Sequence, residues 1–130
     1  MDLDWMPVAG TTLGCDFSGN VAKLGPKLTK KWNEGDRVLG WVLGNNTVRK
    51  DEGGFAEYVA SNADVLIKIP DDMSDEDAAS PPAGIITSGM GLFQKHNLVL
   101  PGEGEGNGET ILIYGGTTAT ATLGIQLGKL

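Results

Sequence analysis

The chain has 130 residues, of which 40% are apolar and 21% charged, so neither a disordered tail nor a fibrous repeat is expected. Ten Lys and Arg against 17 Asp and Glu leave a net charge of −7, which argues against a nucleic-acid backbone or an anionic membrane as partner. Its 20 glycines, about 15% of the chain against a usual share of about 7%, point to many turns and close backbone approaches.

At the start, Met1-Asp2-Leu3-Asp4 has neither the basic nor the apolar region of a signal peptide. No apolar run along the chain reaches the ~18–20 residues that span a bilayer. The single cysteine, Cys15, cannot close a disulfide within the chain. A soluble, cytoplasmic protein is the expectation. Leu13 to Leu24 predicts a strand that ends at the turn dipeptide Gly25-Pro26. Gly35-Asp36 opens a second, Arg37 to Val42, and Gly53-Gly54 a third, Phe55 to Val59. A fourth runs from Val65 to Ile69 and stops at Pro70. Strands at this spacing, separated by turn signals, predict a sandwich or a partly open barrel.

After Pro70 the pattern changes. Ser74 stands as an N-cap with Asp77 three residues on, the spacing of a capping box. That short helix must end near Pro81-Pro82, and Pro82 can start the next, since its missing N–H is harmless in a first turn. Ile85, Ile86, Met90 and Phe93 predict its apolar face. Pro101 to Glu109 reads as an acidic, glycine-rich loop. Thr110 to Tyr114 then predicts a strand covered on both faces, Gly115-Gly116 its end, and Thr117 to Leu130 a helix. A parallel sheet needs further strands, so this tail is expected to be half a motif.

The strand–Gly-Gly–helix junction is the most informative local feature. A glycine turn lets backbone approach a pyrophosphate, and a helix N-terminus offers free N–H groups at the positive end of its dipole. Thr117, Thr118 and Thr120 add hydroxyls there, and Ala121 stands in place of a third glycine. The alternative reading is a tight turn whose threonines serve only as caps.

Read in order, several segments together resemble the medium-chain dehydrogenase/reductases. They are Leu13-Gly14-Cys15-Asp16-Phe17-Ser18-Gly19-Asn20-Val21, Gly35-Asp36-Arg37-Val38, Gly53-Gly54-Phe55-Ala56-Glu57-Tyr58-Val59 and Ile69-Pro70. Gly84 to Leu92 and Ile113 to Thr120 complete the set. The similarity is strongest to the zinc-independent quinone and enoyl reductases, particularly the fungal trans-enoyl reductases that work beside polyketide synthases. The resemblance implies a mixed α/β fold: an incomplete GroES-like domain over 1–80, a connecting helix and acidic loop over 81–109, and the truncated start of a Rossmann domain over 110–130. At the N-terminus the family's Asn-Pro-x-Asp segment aligns with Met1 to Asp4, keeping Asp4, and Met6 replaces a common lysine.

The activity the resemblance implies is NADPH-dependent reduction of an activated carbon–carbon double bond, with hydride going to the β-carbon. NADH remains an alternative cofactor. The implied substrate is a small-molecule or carrier-protein-bound enoyl group, with a polyketide synthase as partner. Gly115, Gly116, Thr117, Thr118, Ala119 and Thr120 would take the cofactor phosphates, and Thr87 would lie near the nicotinamide or its ribose. Cys15, Asp16 and Phe17 would line the nicotinamide side of the cleft. No residue is assigned as proton donor. Cys15 occupies a position resembling a zinc ligand of the alcohol dehydrogenases, but one cysteine and the distant His96 do not supply three ligands, so no metal is expected. His96 reads as a cation at a helix C-terminus, the acids of Asp71 to Asp77 as a solvated face, and Lys23, Lys27, Lys30 and Lys31 as solubilising. The competing readings are a non-catalytic GroES-like module and a quinone or alcohol oxidoreductase. Two consequences are expected: Gly116→Val weakens NADPH binding, and the 130 residues alone bind NADPH poorly.

Overall fold

The computed structural model describes residues 7–104, 108 and 110–130. Asp4 and Met6, and residues 105–107 and 109 of the acidic loop, lie outside the described residues. The chain forms two compact units, Met1–Pro82 and Ala83–Leu130.

The first unit is built on an antiparallel sheet in the order β1 (Asp16–Asn20), β2 (Arg37–Trp41), β3 (Ile67–Lys68). Asp16 faces Trp41 and Asn20 faces Arg37, while Val38 and Leu39 face Lys68 and Ile67. Backbone bonds prolong the first pairing, from Val42 N–H to Cys15 O at 2.8 Å and from Val21 N–H to Asp36 O at 2.9 Å. Successive residues of a strand point to opposite faces, and β2 buries Val38 on one and Leu39 on the other. Leu39 joins Ile69 and Ala78 in the buried cluster. Ala78 belongs to helix α1 (Asp75–Ala78), whose carbonyl at Asp75 accepts the Ser18 hydroxyl of β1 at 2.7 Å. Arg37 secures the turn leading into α1: Nη2 donates to Met73 O at 2.8 Å and to Asp75 Oδ1 at 2.6 Å.

The capping box forms at Ser74, but not in its usual reciprocal form. The Ser74 hydroxyl accepts from Asp77 N–H at 3.1 Å and donates to the Asp77 carboxylate at 2.9 Å. The acidic side chain thus returns to the cap hydroxyl.

Three predicted strands are shortened or replaced. Leu13–Leu24 contracts to β1; on its N-terminal side Gly14, two residues before the strand, adopts φ +88° and breaks the extended run. Val65–Ile69 becomes a 3₁₀ turn at Ala63–Val65 followed by two-residue β3; Asn62 caps that turn by accepting from Asp64 N–H at 3.0 Å. Phe55–Val59 is no strand. Gly54 and Phe55 donate to Gly14 O and Leu13 O, after which the chain bends and leaves Phe55 and Tyr58 exposed.

The turn between β1 and β2 carries a charge arrangement with a pH consequence. Asn33 N–H donates to Asp36 Oδ2 at 2.8 Å, and Lys68 Nζ lies 3.4 Å from Oδ1. The Asn33 bond is foremost in holding the Asp36 carboxyl below its ordinary value of 3.8; partial burial opposes it and Lys68 reinforces it. A carboxyl depressed in the folded state stabilises fully above its unfolded value and loses that contribution as pH falls through the folded one. Urea midpoints of the wild type and Asp36→Asn are therefore expected to differ at neutral pH and to converge below about pH 4. A gap independent of pH contradicts this reading.

The second unit takes up α2 (Pro82–Gly89) from its second residue, followed by a π-helical turn at Met90–Lys95 and α3 (Ala119–Leu127). Pro82 opens α2, as its ring favours. The apolar face differs from expectation: Met90 is exposed, while Ser88 and Leu92 are buried. Positions 85, 88 and 92 follow helical spacing, and a serine in the middle conceals that stripe from a count of apolar residues. Thr110–Tyr114 is not a strand. Among the described residues no neighbour forms a ladder with it, and Leu112 and Tyr114 are almost fully exposed. The expected β-α unit is thus represented by its helix.

Candidate functional site

Phe17 sits at the second position of β1, opposite Gly40 of β2. A Cβ on Gly40 would stand 2.7 Å from the Phe17 ring and 2.6 Å from Leu66 Cδ2, so bare backbone makes the space these side chains occupy. The ring borders a groove of about 680 Å³, shared with Leu28, Trp32, Val38, Tyr58 and Leu66. The groove's far wall is tied down by polar bonds. Trp32 Nε1–H donates to Ala63 O at 3.2 Å, and the Thr29 hydroxyl donates to the Asp64 carboxylate. Lys30 Nζ donates to Asp64 O and, at 3.4 Å, to Leu66 O. Lys30 is therefore a clamp on the 63–66 turn, unlike the reading that made it only a solubilising charge. Lys23, Lys27 and Lys31 are exposed.

Of the three residues expected near a nicotinamide, the groove takes in Phe17 and neither Cys15 nor Asp16. Cys15 is a half-buried free thiol at the start of the ladder. Among the described residues, no three His, Cys, Asp or Glu side chains converge in a way that could hold a metal ion.

In the second unit, Gly115 has φ +81°, a left-handed conformation that glycine adopts without a Cβ clash. Its carbonyl accepts from Thr118 N–H at 2.9 Å, closing the turn. Thr118 is the N-cap of α3, accepting from Ala121 N–H at 3.3 Å, so Thr117 precedes the helix instead of starting it. The Thr122 hydroxyl reaches back to Gly116 O at 3.2 Å and Thr118 O at 2.9 Å. The N–H groups of Ala119 and Thr120 meet no acceptor among the described residues. Gly116 to Thr120 are exposed, and the first turn of α3 carries no acid. Free donors at the positive end of a helix, on an exposed turn with no competing carboxylate, fit an anionic pyrophosphate. Thr118 caps the helix, and the turn beside it keeps donors free. The left-handed position is Gly115 and not Gly116, where a Cβ would make only ordinary contact with Ile125 Cδ1 at 3.5 Å.

Thr87 is exposed on α2. Its neighbour Ser88 is buried and donates to Thr120 O at 2.8 Å, a link that the sequence reading missed. The available signal was a polar residue at i+3 within an apolar face. His96 is exposed at the C-terminal end of the π-helical turn, where its N–H donates to Gly91 O.

Residues 2–71 match the family described as alcohol dehydrogenase GroES-like domain. The chain belongs to that family. It is 46% identical over 136 aligned residues to a trans-enoyl reductase of Penicillium crustosum, covering 98% of this chain and 37% of that protein. A trans-enoyl reductase of Aspergillus niger is 43% identical over the same shares. The crystal structure of an alcohol dehydrogenase superfamily protein from Novosphingobium aromaticivorans superposes with a TM-score of 0.71 at 27% identity, over 92% of this chain and 33% of that one. The chain thus spans a little over a third of the length of the curated relatives it matches. These likenesses bear out the resemblance to medium-chain dehydrogenase/reductases and the mixed α/β, GroES-like fold. Among the described residues no helix is long and apolar enough to cross a membrane.

Proposed function

We propose that this chain carries the GroES-like part and the cofactor-phosphate turn of an NADPH-dependent enoyl reductase. The observation that carries this reading is the likeness, along nearly the whole chain, to proteins named trans-enoyl reductases. Family membership implies a nicotinamide cofactor, and NADPH is the form we assign. When bound, the nicotinamide supplies the hydride that adds to the β-carbon of an activated double bond. The chain's own contribution is to bind and orient.

In the second unit, the free N–H groups of Ala119 and Thr120, with the backbone of Gly115 to Thr118, are assigned to the pyrophosphate, and Thr87 to the nicotinamide ribose. In the first, Cys15, Asp16 and Phe17 are assigned to the nicotinamide and substrate side. Residues 1–80 form the GroES-like part, 81–109 the connection, and 110–130 the opening of the dinucleotide-binding region. The proposed substrate is an enoyl thioester, free or on the carrier domain of a polyketide synthase.

The test is a chimera in which these 130 residues replace the matching segment of the Penicillium crustosum relative. The folded chimera is expected to consume a reduced nicotinamide cofactor with an α,β-unsaturated thioester, NADPH being the form supplied. A folded chimera inert with NADPH and NADH alike contradicts the proposal and favours a non-catalytic module.

A further inference from the structure

Among the described residues of the second unit, Ser88 is the buried polar side chain, 9% exposed, in the middle of α2. A serine inside a helix commonly returns its hydroxyl to the carbonyl four residues back. Here that carbonyl belongs to Gly84, yet the hydroxyl leaves its own helix and donates to Thr120 O, in the first turn of α3. The two helices meet through small residues. A Cβ on Gly124 would stand 3.4 Å from Ser88 Oγ, and a Cβ on Gly84 would collide with Leu123 Cδ1. A buried hydroxyl costs free energy unless it is bonded, so the crossing is satisfied only in the register that brings Thr120 O to Ser88. Thr120 is also one of the two residues whose N–H is left free at the start of α3.

We infer that Ser88 is a positioning residue: through Thr120 it fixes the first turn of α3, and with it the donors that face the cofactor pyrophosphate. This rests on the phosphate assignment proposed above, and it adds a buried residue that would never touch the cofactor. Ser88→Ala removes one hydrogen bond and leaves little void, so the effect is expected to be local.

Two measurements test it. In the 130-residue chain, amide exchange of Ser88→Ala is expected to rise about fivefold at Ala121 and Thr122, the size of one lost hydrogen bond, with Ile125 to Leu127 and the β1–β2 ladder unchanged. In the chimera, the same substitution is expected to raise KM for NADPH about fivefold while kcat holds, and Ser88→Thr, which keeps the hydroxyl, to restore part of the loss. Unchanged exchange at Ala121 and Thr122, or a rise spread evenly over the chain, overturns the positioning role. Local loosening with an unchanged KM overturns its link to the cofactor. A wild-type chimera that ignores NADPH defeats the phosphate assignment and the link with it, while exchange in the 130-residue chain still decides whether Ser88 fixes the turn.

Discussion

Replacing Ile69 with alanine is expected to destabilise the first unit by about 2–5 kcal/mol, the range for a large aliphatic side chain lost from a packed site. Ile69 is 2% exposed and touches the cluster that also holds Leu39 and Ala78. Its N–H donates to Arg37 O at 3.0 Å, so the side chain is delivered to the core by the strand edge that continues β3. Pro70 follows at once and prevents the chain from extending the ladder to compensate. A core this small leaves few neighbours able to collapse into the cavity. Against a typical domain stability of about 5–15 kcal/mol, the loss is a large fraction. Urea unfolding followed by tryptophan fluorescence gives the number. Val65→Ala, at a 39% exposed position, is the control and should cost well under half as much. Equal losses at the two sites contradict the assignment of Ile69 to the core.

The second large effect is expected at Gly115. Valine there must adopt φ +81°, which its branched Cβ disfavours by about 1–3 kcal/mol. Relaxation of that strain moves the Gly115 carbonyl away from Thr118 N–H, and Thr118 is the cap of α3. In the chimera, Gly115→Val is expected to raise KM for NADPH at least tenfold, corresponding to about 1.4 kcal/mol or more of lost binding. Gly116→Ala should do much less, because its Cβ meets only the end of Ile125. A larger effect at Gly116 than at Gly115 would show that the phosphates approach the second glycine and that the strain argument is misplaced.

The legible parts of this chain were those fixed by local chemistry. Ser74 with Asp77 and Pro82 at the start of α2 each carry their signal within four residues, and each forms where expected. Strand β2 was legible because Gly35-Asp36 punctuates an apolar run. Strand existence elsewhere depends on a partner, which no local pattern contains. Phe55–Val59 and Thr110–Tyr114 have the composition of strands, yet among the described residues neither forms a ladder. Which of the two glycines holds the left-handed position was not legible for a related reason: adjacent glycines are indistinguishable until their φ values are known. Ser88 was invisible because its partner lies 32 residues away, and polarity alone reads as exposure.

The most direct measurement follows the hydride. The chimera is given NADPH carrying deuterium at the transferable position of the nicotinamide, together with an α,β-unsaturated thioester, and the product is read by mass spectrometry and NMR. One deuterium on the β-carbon of a saturated thioester is the predicted result. Deuterium on the former carbonyl carbon, as an aldehyde with the thiol released and the double bond intact, would contradict it and make the chain part of a carbonyl-reducing enzyme instead.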